Sequence, residues 1–205
     1  MMRLYWSSRS PFARKVMVAA HETGTAGKIE RIRVAVGSAL MSEEVMHYNP
    51  LNKIPTLVLD DGAALFDSRV IIAYLDGFRG SPRLVPQDAH QRVAAARWEA
   101  LGDGIMENST LTIGERKREA LHSAKHDAAY RKKTVATLTL LEKEAQALAA
   151  APFGIGAIAI GCALSHLDFR FGDENWRAGR PNLARWFETV ATRSSFIATA
   201  FEEIY

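Results

Sequence analysis

The stretch Ser10-Pro11-Phe12-Ala13-Arg14-Lys15-Val16 decides how the chain begins to fold. Serine is a favoured residue at a helix N-cap, and proline is favoured at the first helical position. The stretch therefore predicts a helix that begins at Pro11. We expect this helix to run towards Gly24, because glycine commonly ends helices.

Strand-like segments lie on both sides of this helix. Residues 3–6 are short and aromatic, and in residues 29–36 the apolar Ile32, Val34 and Val36 alternate with other side chains. Alternation with a period of two is typical of a strand. A helix between two strands predicts a parallel pair, since the connection has room to cross the sheet.

The next segments predict a hairpin and a second helix. After a helical or irregular stretch at residues 38–47, two apolar runs at 56–59 and 63–66 flank Asp60-Asp61-Gly62, a strong hairpin signal. The helix that follows places five apolar residues on one predicted face: Val70, Ile71, Tyr74, Leu75 and Phe78. The predicted order is β-α-β-α-β-β-α.

Helical periodicity dominates the rest of the chain. Glycine and proline punctuate residues 80–88, which we interpret as a linker between an α/β domain at 1–79 and an all-helical domain at 89–205. The clearest helical stripe is Leu183, Trp186, Phe187 and Val190, which predicts core packing.

Composition excludes several function classes. The net charge is only +3, and the basic runs at 116–118 and 131–133 are three residues long, so nucleic acid is not an expected partner. The apolar run at 153–164 is shorter than the roughly 20 residues that span a bilayer. The first twelve residues lack a signal-peptide pattern, so the expected location is cytoplasmic.

Cysteine and histidine give no sign of a redox or metal site. The single cysteine, Cys162, allows no intrachain disulfide and lies in an apolar run, so a buried thiol is expected. The six histidines show no ligand spacing; His122 and His126 are four residues apart but lack a further ligand in register. No metal and no tightly bound cofactor is expected.

Ser10 admits two interpretations. A hydroxyl at a helix N-terminus lies where backbone N–H groups and the helix dipole favour negative charge. A thiol, with a reference pKa of about 8.5, would ionise more readily there and accept a hydrogen bond from the hydroxyl. Alternatively, Ser10 only caps its helix, through the N–H of Phe12 or Ala13. Taken alone, the segment favours the cap.

The segment at residues 49–57 (NPLNKIPTL) also admits two interpretations. Only about 5–6% of bonds before proline are cis, so frequency predicts a trans Ile54-Pro55 bond. A cis bond before the strand would turn the N–H and C=O of Ile54 outwards, where they could pair with an extended peptide ligand. Lys53 could meet a ligand carboxylate, although a lone lysine is usually only solvated.

The third segment is Asp67-Ser68-Arg69, directly before a predicted helix. Asp and Ser are ordinary capping residues. They could also form a binding site, in which the Ser68 hydroxyl and free N–H groups bind a carboxylate of a ligand while Asp67 binds its ammonium group. Each of the three segments is ordinary when taken alone.

Together the three segments resemble the soluble glutathione transferase superfamily, and most of all its serine-type bacterial members related to the theta class. Further matching stretches lie at residues 100–106, 162–170 and 180–196, so the resemblance spans nearly the whole chain. It implies a thioredoxin-like N-terminal domain followed by an all-α helical bundle domain. It also implies a homodimer.

The resemblance implies six glutathione-binding residues: Ser10, Lys53, Ile54, Pro55, Asp67 and Ser68. Ser10 matches the catalytic serine that steadies the thiolate, and Ile54 matches the residue before a cis-proline that pairs with the cysteinyl backbone. Lys53 matches a contact to the glycyl carboxylate. The Asp67-Ser68 pair matches residues that hold the γ-glutamyl group.

The activity that the resemblance implies is conjugation of the glutathione thiolate to a hydrophobic electrophile, with glutathione as co-substrate. Two alternatives stay open: a non-catalytic binding or regulatory protein of the same fold, and another glutathione-dependent reaction such as isomerisation, dehalogenation or peroxide reduction. Ser7, Ser8 and Tyr5 are rivals to Ser10 for the thiolate.

The sequence departs from the family pattern in two ways. Gly154 and Ala157 stand where many members carry a Ser/Thr-x-x-Asp capping box, so the helix there is expected to depend on packing or another cap. Ser10 stands where thiol-transfer subfamilies have a nearby cysteine. Disulfide reduction is therefore disfavoured.

Overall fold

The computed structural model describes residues 1–78 and 83–203 and divides the chain into two compact units. The first unit comprises the described residues of Met1–Asp88 and Ser194–Tyr205, and the second comprises Ala89–Arg193. Residues 79–82 of the expected boundary and linker lie outside the described residues. Within the described ranges, no helix has both the length and the apolar content that crossing a bilayer requires.

The first unit is a small α/β structure with the predicted order of elements. Its strands and helices are β1 (Met2–Trp6), α1 (Pro11–Glu22), β2 (Ile29–Arg33), α2 (Glu43–Tyr48), β3 (Thr56–Val58), β4 (Ala64–Leu65) and α3 (Ser68–Asp76), with a 3₁₀ turn at Ala26–Lys28. The sheet order is β2-β1-β3-β4. Strands β1 and β2 are parallel, and β3 and β4 are antiparallel, which confirms both predicted pairings.

The local signals for α1 and for the hairpin are confirmed. Ser10 is the N-cap of α1 and Gly24 follows its end with a φ of +71°, a left-handed conformation that glycine adopts without steric cost. In the hairpin, the N–H of Gly62 donates to the C=O of Leu59 at 3.0 Å. Gly62 has a φ of +88°, which explains the glycine at this position of the turn.

The predicted apolar face of α3 is wrong in part. Ile71 and Leu75 are buried, but Val70, Tyr74 and Phe78 are 47%, 36% and 49% exposed. Val70 and Tyr74 of α3 and Phe78, two residues after the end of the helix, are spaced four apart, so they form a second stripe beside the buried one. Since both stripes are apolar, periodicity alone could not show which of them faces the core.

The second unit is entirely helical. It contains α4 (Ala89–Arg116), α5 (Ala124–Ala150), α6 (Ile155–Arg170) and α7 (Pro181–Ala191), with 3₁₀ turns at Glu119–Leu121 and Gly172–Glu174. After it, the short helix α8 (Ser194–Ile197) belongs to the first unit. Cys162 is fully buried in α6, as predicted.

Helices α4 and α6 approach closely through two glycines. A Cβ atom built on Gly102 would lie 2.5 Å from the carbonyl carbon of Ala159, and one on Gly156 would lie 2.8 Å from the Cβ of Trp98. Gly154, the N-cap of α6, makes no side-chain capping bond, as its sequence predicts. The start of α6 therefore packs closely on α4 and has no side-chain cap.

Candidate functional site

Strand register brings three polar segments to one end of the sheet. Near the end of β1, Tyr5 lies opposite Thr56, the first residue of β3. At the end of β4, Leu65 lies opposite Leu57. Residues 7–10 after β1, 53–55 before β3, and 67–68 after β4 therefore share this end, and we call these three segments the candidate site.

Ser10 caps α1 and keeps its hydroxyl proton for a further partner. Its Oγ accepts a hydrogen bond from the N–H of Ala13 at 3.2 Å, and its C=O accepts from the N–H of Arg14 at 3.0 Å. Because Oγ acts as an acceptor in the cap, the hydroxyl proton is not used there. No other residue in the described part of the chain accepts it. The cap and a donor role towards a ligand are therefore compatible.

Tyr5, an alternative to Ser10 as the hydrogen-bond donor to the thiolate, is buried in the protein interior. Its side chain is 1% exposed and its hydroxyl donates to Oε1 of Glu44 at 3.0 Å. Burial and then the bond to Glu44 raise the pKa of Tyr5 to about 12. A phenol in this state has neither a free proton to donate nor a tendency to ionise near neutral pH.

The serine rivals differ from one another. Ser8 is buried and its Oγ donates to the C=O of Glu202 at 3.1 Å, so its proton is already used. Ser7 accepts a hydrogen bond from the N–H of Arg9 at 3.3 Å and keeps its proton. These hydrogen bonds therefore exclude Ser8 as a donor to a ligand, and Ser7 and Ser10 stay as candidates.

The segment before β3 has the cis peptide bond that the family resemblance implies. The Ile54-Pro55 bond is cis, so the frequency-based prediction of a trans bond is wrong. Neither the N–H nor the C=O of Ile54 makes a backbone hydrogen bond to any other residue that the structure describes. Lys53 is exposed, and its C=O accepts from the Thr56 hydroxyl at 2.8 Å.

Two asparagines that sequence reasoning did not single out hold this segment. Asn49 is 1% exposed, and its Nδ2 donates to the C=O of Lys53 at 3.0 Å. Asn52 adopts a φ of +51° and its side chain bonds the backbone of Ser42 and Leu40. Their position beside Pro50 and in a tight turn is a signal for side-chain-to-backbone bonding that could have identified them.

Asp67 and Ser68 begin α3. Oδ1 of Asp67 accepts from the N–H of Arg69 at 2.9 Å, which is the predicted cap, and the Phe66-Asp67 peptide is also cis. Asp67 is exposed, whereas Ser68 is 2% exposed. This end of α3 thus presents a carboxylate at the surface beside a helix N-terminus.

Within residues 1–78 and 83–203, no three His, Cys, Asp or Glu side chains lie in an arrangement that could hold a metal ion.

Known families match both halves of the chain. Residues 9–77 match the family "Glutathione S-transferase, N-terminal domain", and residues 91–189 match "Glutathione S-transferase, C-terminal domain". The chain is 31% identical over 201 residues to the uncharacterized GST-like protein YibF of Escherichia coli K12, with 97% of this chain and 98% of that protein covered.

A solved structure and a more distant relative extend the comparison. A glutathione transferase family member from Pseudomonas fluorescens Pf-5, with bound glutathione, has a TM-score of 0.95 and 37% identity over 98% of this chain and 100% of that one. Elongation factor 1-gamma of Danio rerio is 28% identical over 189 residues, or 90% of this chain and 42% of that protein. With its thioredoxin-like N-terminal domain and helical C-terminal domain, the chain belongs to the glutathione S-transferase superfamily.

Proposed function

We propose that the candidate site binds glutathione and that the protein conjugates its thiolate to a hydrophobic electrophile. The observation that carries this proposal is the hydroxyl proton of Ser10, which the cap of α1 leaves unused. The protons of Tyr5 and Ser8 are committed elsewhere. The Pseudomonas fluorescens relative with bound glutathione supports the choice of ligand.

The N-terminus of α1 favours the ionised thiol. Backbone N–H groups and the helix dipole there stabilise negative charge, which lowers the pKa of a thiol placed beside them. Ser10 donates its hydroxyl proton to the sulfur as a charge-assisted hydrogen bond. The thiol releases its proton to solvent, and the thiolate forms a bond to an electrophilic carbon while a leaving group departs or a double bond opens. This chemistry uses glutathione as co-substrate and requires no metal.

The other candidate residues hold the peptide body of glutathione. The N–H and C=O of Ile54, which make no backbone hydrogen bond to the described residues, pair with the cysteinyl backbone as an added strand does. The exposed Lys53 ammonium meets the glycyl carboxylate. At the start of α3, the carboxylate of Asp67 pairs with the γ-glutamyl ammonium group. The hydroxyl of the buried Ser68 donates a hydrogen bond to the γ-glutamyl carboxylate.

We also propose a homodimer, supported by the exposed apolar stripe that Val70 and Tyr74 of α3 form with Phe78, just after the helix. These three side chains are 47%, 36% and 49% exposed, and neighbouring apolar groups at the surface favour association. Tyr74→Glu is expected to shift the protein towards monomer in sedimentation equilibrium. Val135→Glu on α5, which replaces a residue that is 45% exposed, is the matched control. Equal masses for wild type and both variants would contradict the proposal.

The main alternative is a non-catalytic protein of the same fold. The match to a protein named elongation factor 1-gamma shows that chains of this family also occur outside enzymes named as transferases. A scaffold has no need of Ser10, Lys53, Ile54 and the Asp67-Ser68 pair as one set, so the geometry favours the enzyme. Isomerisation, dehalogenation and peroxide reduction use the same glutathione site, and product analysis distinguishes them from conjugation.

Calorimetry with glutathione tests the proposal. Wild type is expected to bind, and Ser10→Ala is expected to retain binding while the thiol pKa of bound glutathione returns towards about 8.5. Ser7→Ala is the control for the second hydroxyl that keeps its proton. Absence of binding by wild type would overturn the enzyme in favour of the scaffold. A pKa that moves in Ser7→Ala and stays fixed in Ser10→Ala would transfer the thiolate role to Ser7.

A further inference from the structure

Residues after α7 pack along α1 inside the first unit. Arg14, one helical turn after Ser10, is buried and donates from Nη2 to the C=O of Phe196 at 3.1 Å. Its guanidinium also lies over two aromatic rings, 5.3 Å from the ring centre of Phe196 and 4.5 Å from that of Phe201. These contacts fix the first turn of α1 against the segment at residues 194–203, which we call the C-terminal segment.

A second contact reaches the turn that carries Ser10. Ser8 donates its hydroxyl proton to the C=O of Glu202 at 3.1 Å, and it is 8% exposed although Ser7 and Ser10 on either side are only half-buried. The N–H of Ser10 donates to the C=O of Ser7 at 3.1 Å and closes the turn. The C-terminal segment therefore holds the turn at Ser8. Ser7 and Ser10, at the two ends of the turn, keep hydroxyl protons that they do not donate within the described residues.

A third contact lies at the opposite end of α1. The Ser195 hydroxyl donates to Oε1 of Glu22, the last residue of the helix, at 2.7 Å. The C-terminal segment is thus attached to both ends of α1. This arrangement provides an internal control, because the Ser8 bond lies within the candidate site and the Ser195 bond lies a whole helix away from it.

We infer that the C-terminal segment positions the Ser10 turn, with Ser8 as the positioning residue that sets how strongly the site stabilises the glutathione thiolate. The inference rests on the proposed function. A hydrogen bond from the Ser10 hydroxyl to sulfur depends steeply on distance and angle, so a small displacement of the turn weakens it. Ser8 acts through the turn and does not touch the thiolate.

A purely structural role for the Ser8 bond makes a different prediction. If the bond only fixed the end of the chain, its loss would lower the free energy of unfolding and leave the chemistry of bound glutathione unchanged. Loss of the Ser195 bond would then have the same consequences as loss of the Ser8 bond. The thiol pKa of bound glutathione separates the two roles, because it reports the placement of the Ser10 hydroxyl and not the stability of the fold.

The experiment compares full-length Ser8→Ala, Ser8→Thr and Ser195→Ala with wild type. Ultraviolet absorbance of the bound thiolate as a function of pH gives the thiol pKa, and calorimetry gives the glutathione Kd at a pH below that pKa. For Ser8→Ala we expect the thiol pKa to rise by about half a unit, a roughly threefold change in the ionisation constant. The Kd is expected to change less than about twofold, which corresponds to under half a kcal/mol.

The two other variants complete the test. Ser8→Thr keeps a hydroxyl donor and is expected to restore the wild-type thiol pKa, whereas Ser195→Ala is expected to leave that pKa unchanged. An unchanged pKa in folded Ser8→Ala, or an equal rise in Ser195→Ala, would overturn the positioning role while the proposed function stands. If wild type does not bind glutathione, the proposed function itself fails and the inference fails with it.

Discussion

The two units of this protein differ in the residues that matter most to them. Polar residues are concentrated at the candidate site of the first unit, and glycines form the helix contact of the second. In the first unit, three polar segments gather at one end of a four-stranded sheet, and side-chain-to-backbone hydrogen bonds hold each of them. In the second unit, α4 and α6 touch through Gly102 and Gly156. We therefore expect substitutions at the candidate site to alter the ionisation of bound glutathione with a modest loss of folding stability. Substitutions at the contact between α4 and α6 are expected to lower folding stability.

Both units contain a helix with a serine N-cap. Ser10 caps α1 in the first unit, and Ser123 caps α5 in the second by accepting from the N–H of His126 at 3.4 Å. The two caps are locally alike. What distinguishes them is their surroundings, since Ser10 lies at the same end of the sheet as residues 53–55 and 67–68. The proposed function depends on these caps and turns lying together.

The largest expected effect is at the glycine contact. In Gly102→Ala, the new Cβ would lie 2.5 Å and 2.7 Å from backbone atoms of Ala159 and Ile160, which cannot move as a flexible side chain does. We expect the free energy of unfolding to fall by about 1–3 kcal/mol or more in urea denaturation.

Gly104→Ala is the matched control on the same helix. A Cβ on Gly104 meets nothing within 4 Å, so this variant is expected to gain about 0.5–1 kcal/mol because alanine is the better helix former. Similar losses in the two variants would contradict the close contact between α4 and α6.

The two serine caps give the next largest effect. Ser10→Ala and Ser123→Ala each remove one capping bond and are each expected to lower the free energy of unfolding by about 0.5–2 kcal/mol. Urea denaturation measures this loss, and glutathione calorimetry on the same samples separates the variants. Only Ser10→Ala is expected to alter the ionisation of bound glutathione. A change of equal size in Ser123→Ala would break the distinction between the units.

The smallest effect concerns Tyr5 and is confined to alkaline pH. Its folded-state pKa of about 12 lies above the ordinary value of 10.0, so its contribution to stability is complete below pH 10 and declines as the pH rises towards 12. Tyr5→Phe should lack this decline when wild type and variant are unfolded in urea at about pH 9 and about pH 11.

Glu44→Ala, which removes the acceptor of the Tyr5 hydroxyl, tests the cause of the raised Tyr5 pKa. Burial is the larger cause and the bond to Glu44 the second, so most of the alkaline decline in stability should persist in this variant. Complete loss of the decline in Glu44→Ala would show that the hydrogen bond, and not burial, raises the pKa of Tyr5.

Features encoded by neighbouring residues were predictable from the sequence. The start of α1 follows from Ser10-Pro11, and the hairpin follows from Asp60-Asp61-Gly62, because caps and tight turns depend on local side-chain and backbone preferences. The six candidate glutathione-binding residues came from a resemblance, and their roles stay predictions that the experiments above address.

Features that depend on distant residues were not predictable. The choice among Ser7, Ser8, Ser10 and Tyr5 turns on Glu202 and Glu44, which are 194 and 39 residues away from their partners Ser8 and Tyr5. The exposed stripe on α3 is as apolar as the buried one. The helix contact at Gly102 likewise depends on Ala159, and nothing in the local sequence identifies it.

The central claim is that glutathione binds at the end of the sheet in the first unit. Amide chemical shifts recorded during a glutathione titration of the isotope-labelled protein test it most directly. The account predicts saturable shifts concentrated at residues 7–13, 53–56 and 66–70, with the amides of α5 and α7 unchanged. Shifts that fail to saturate, or that concentrate in the second unit, would contradict it.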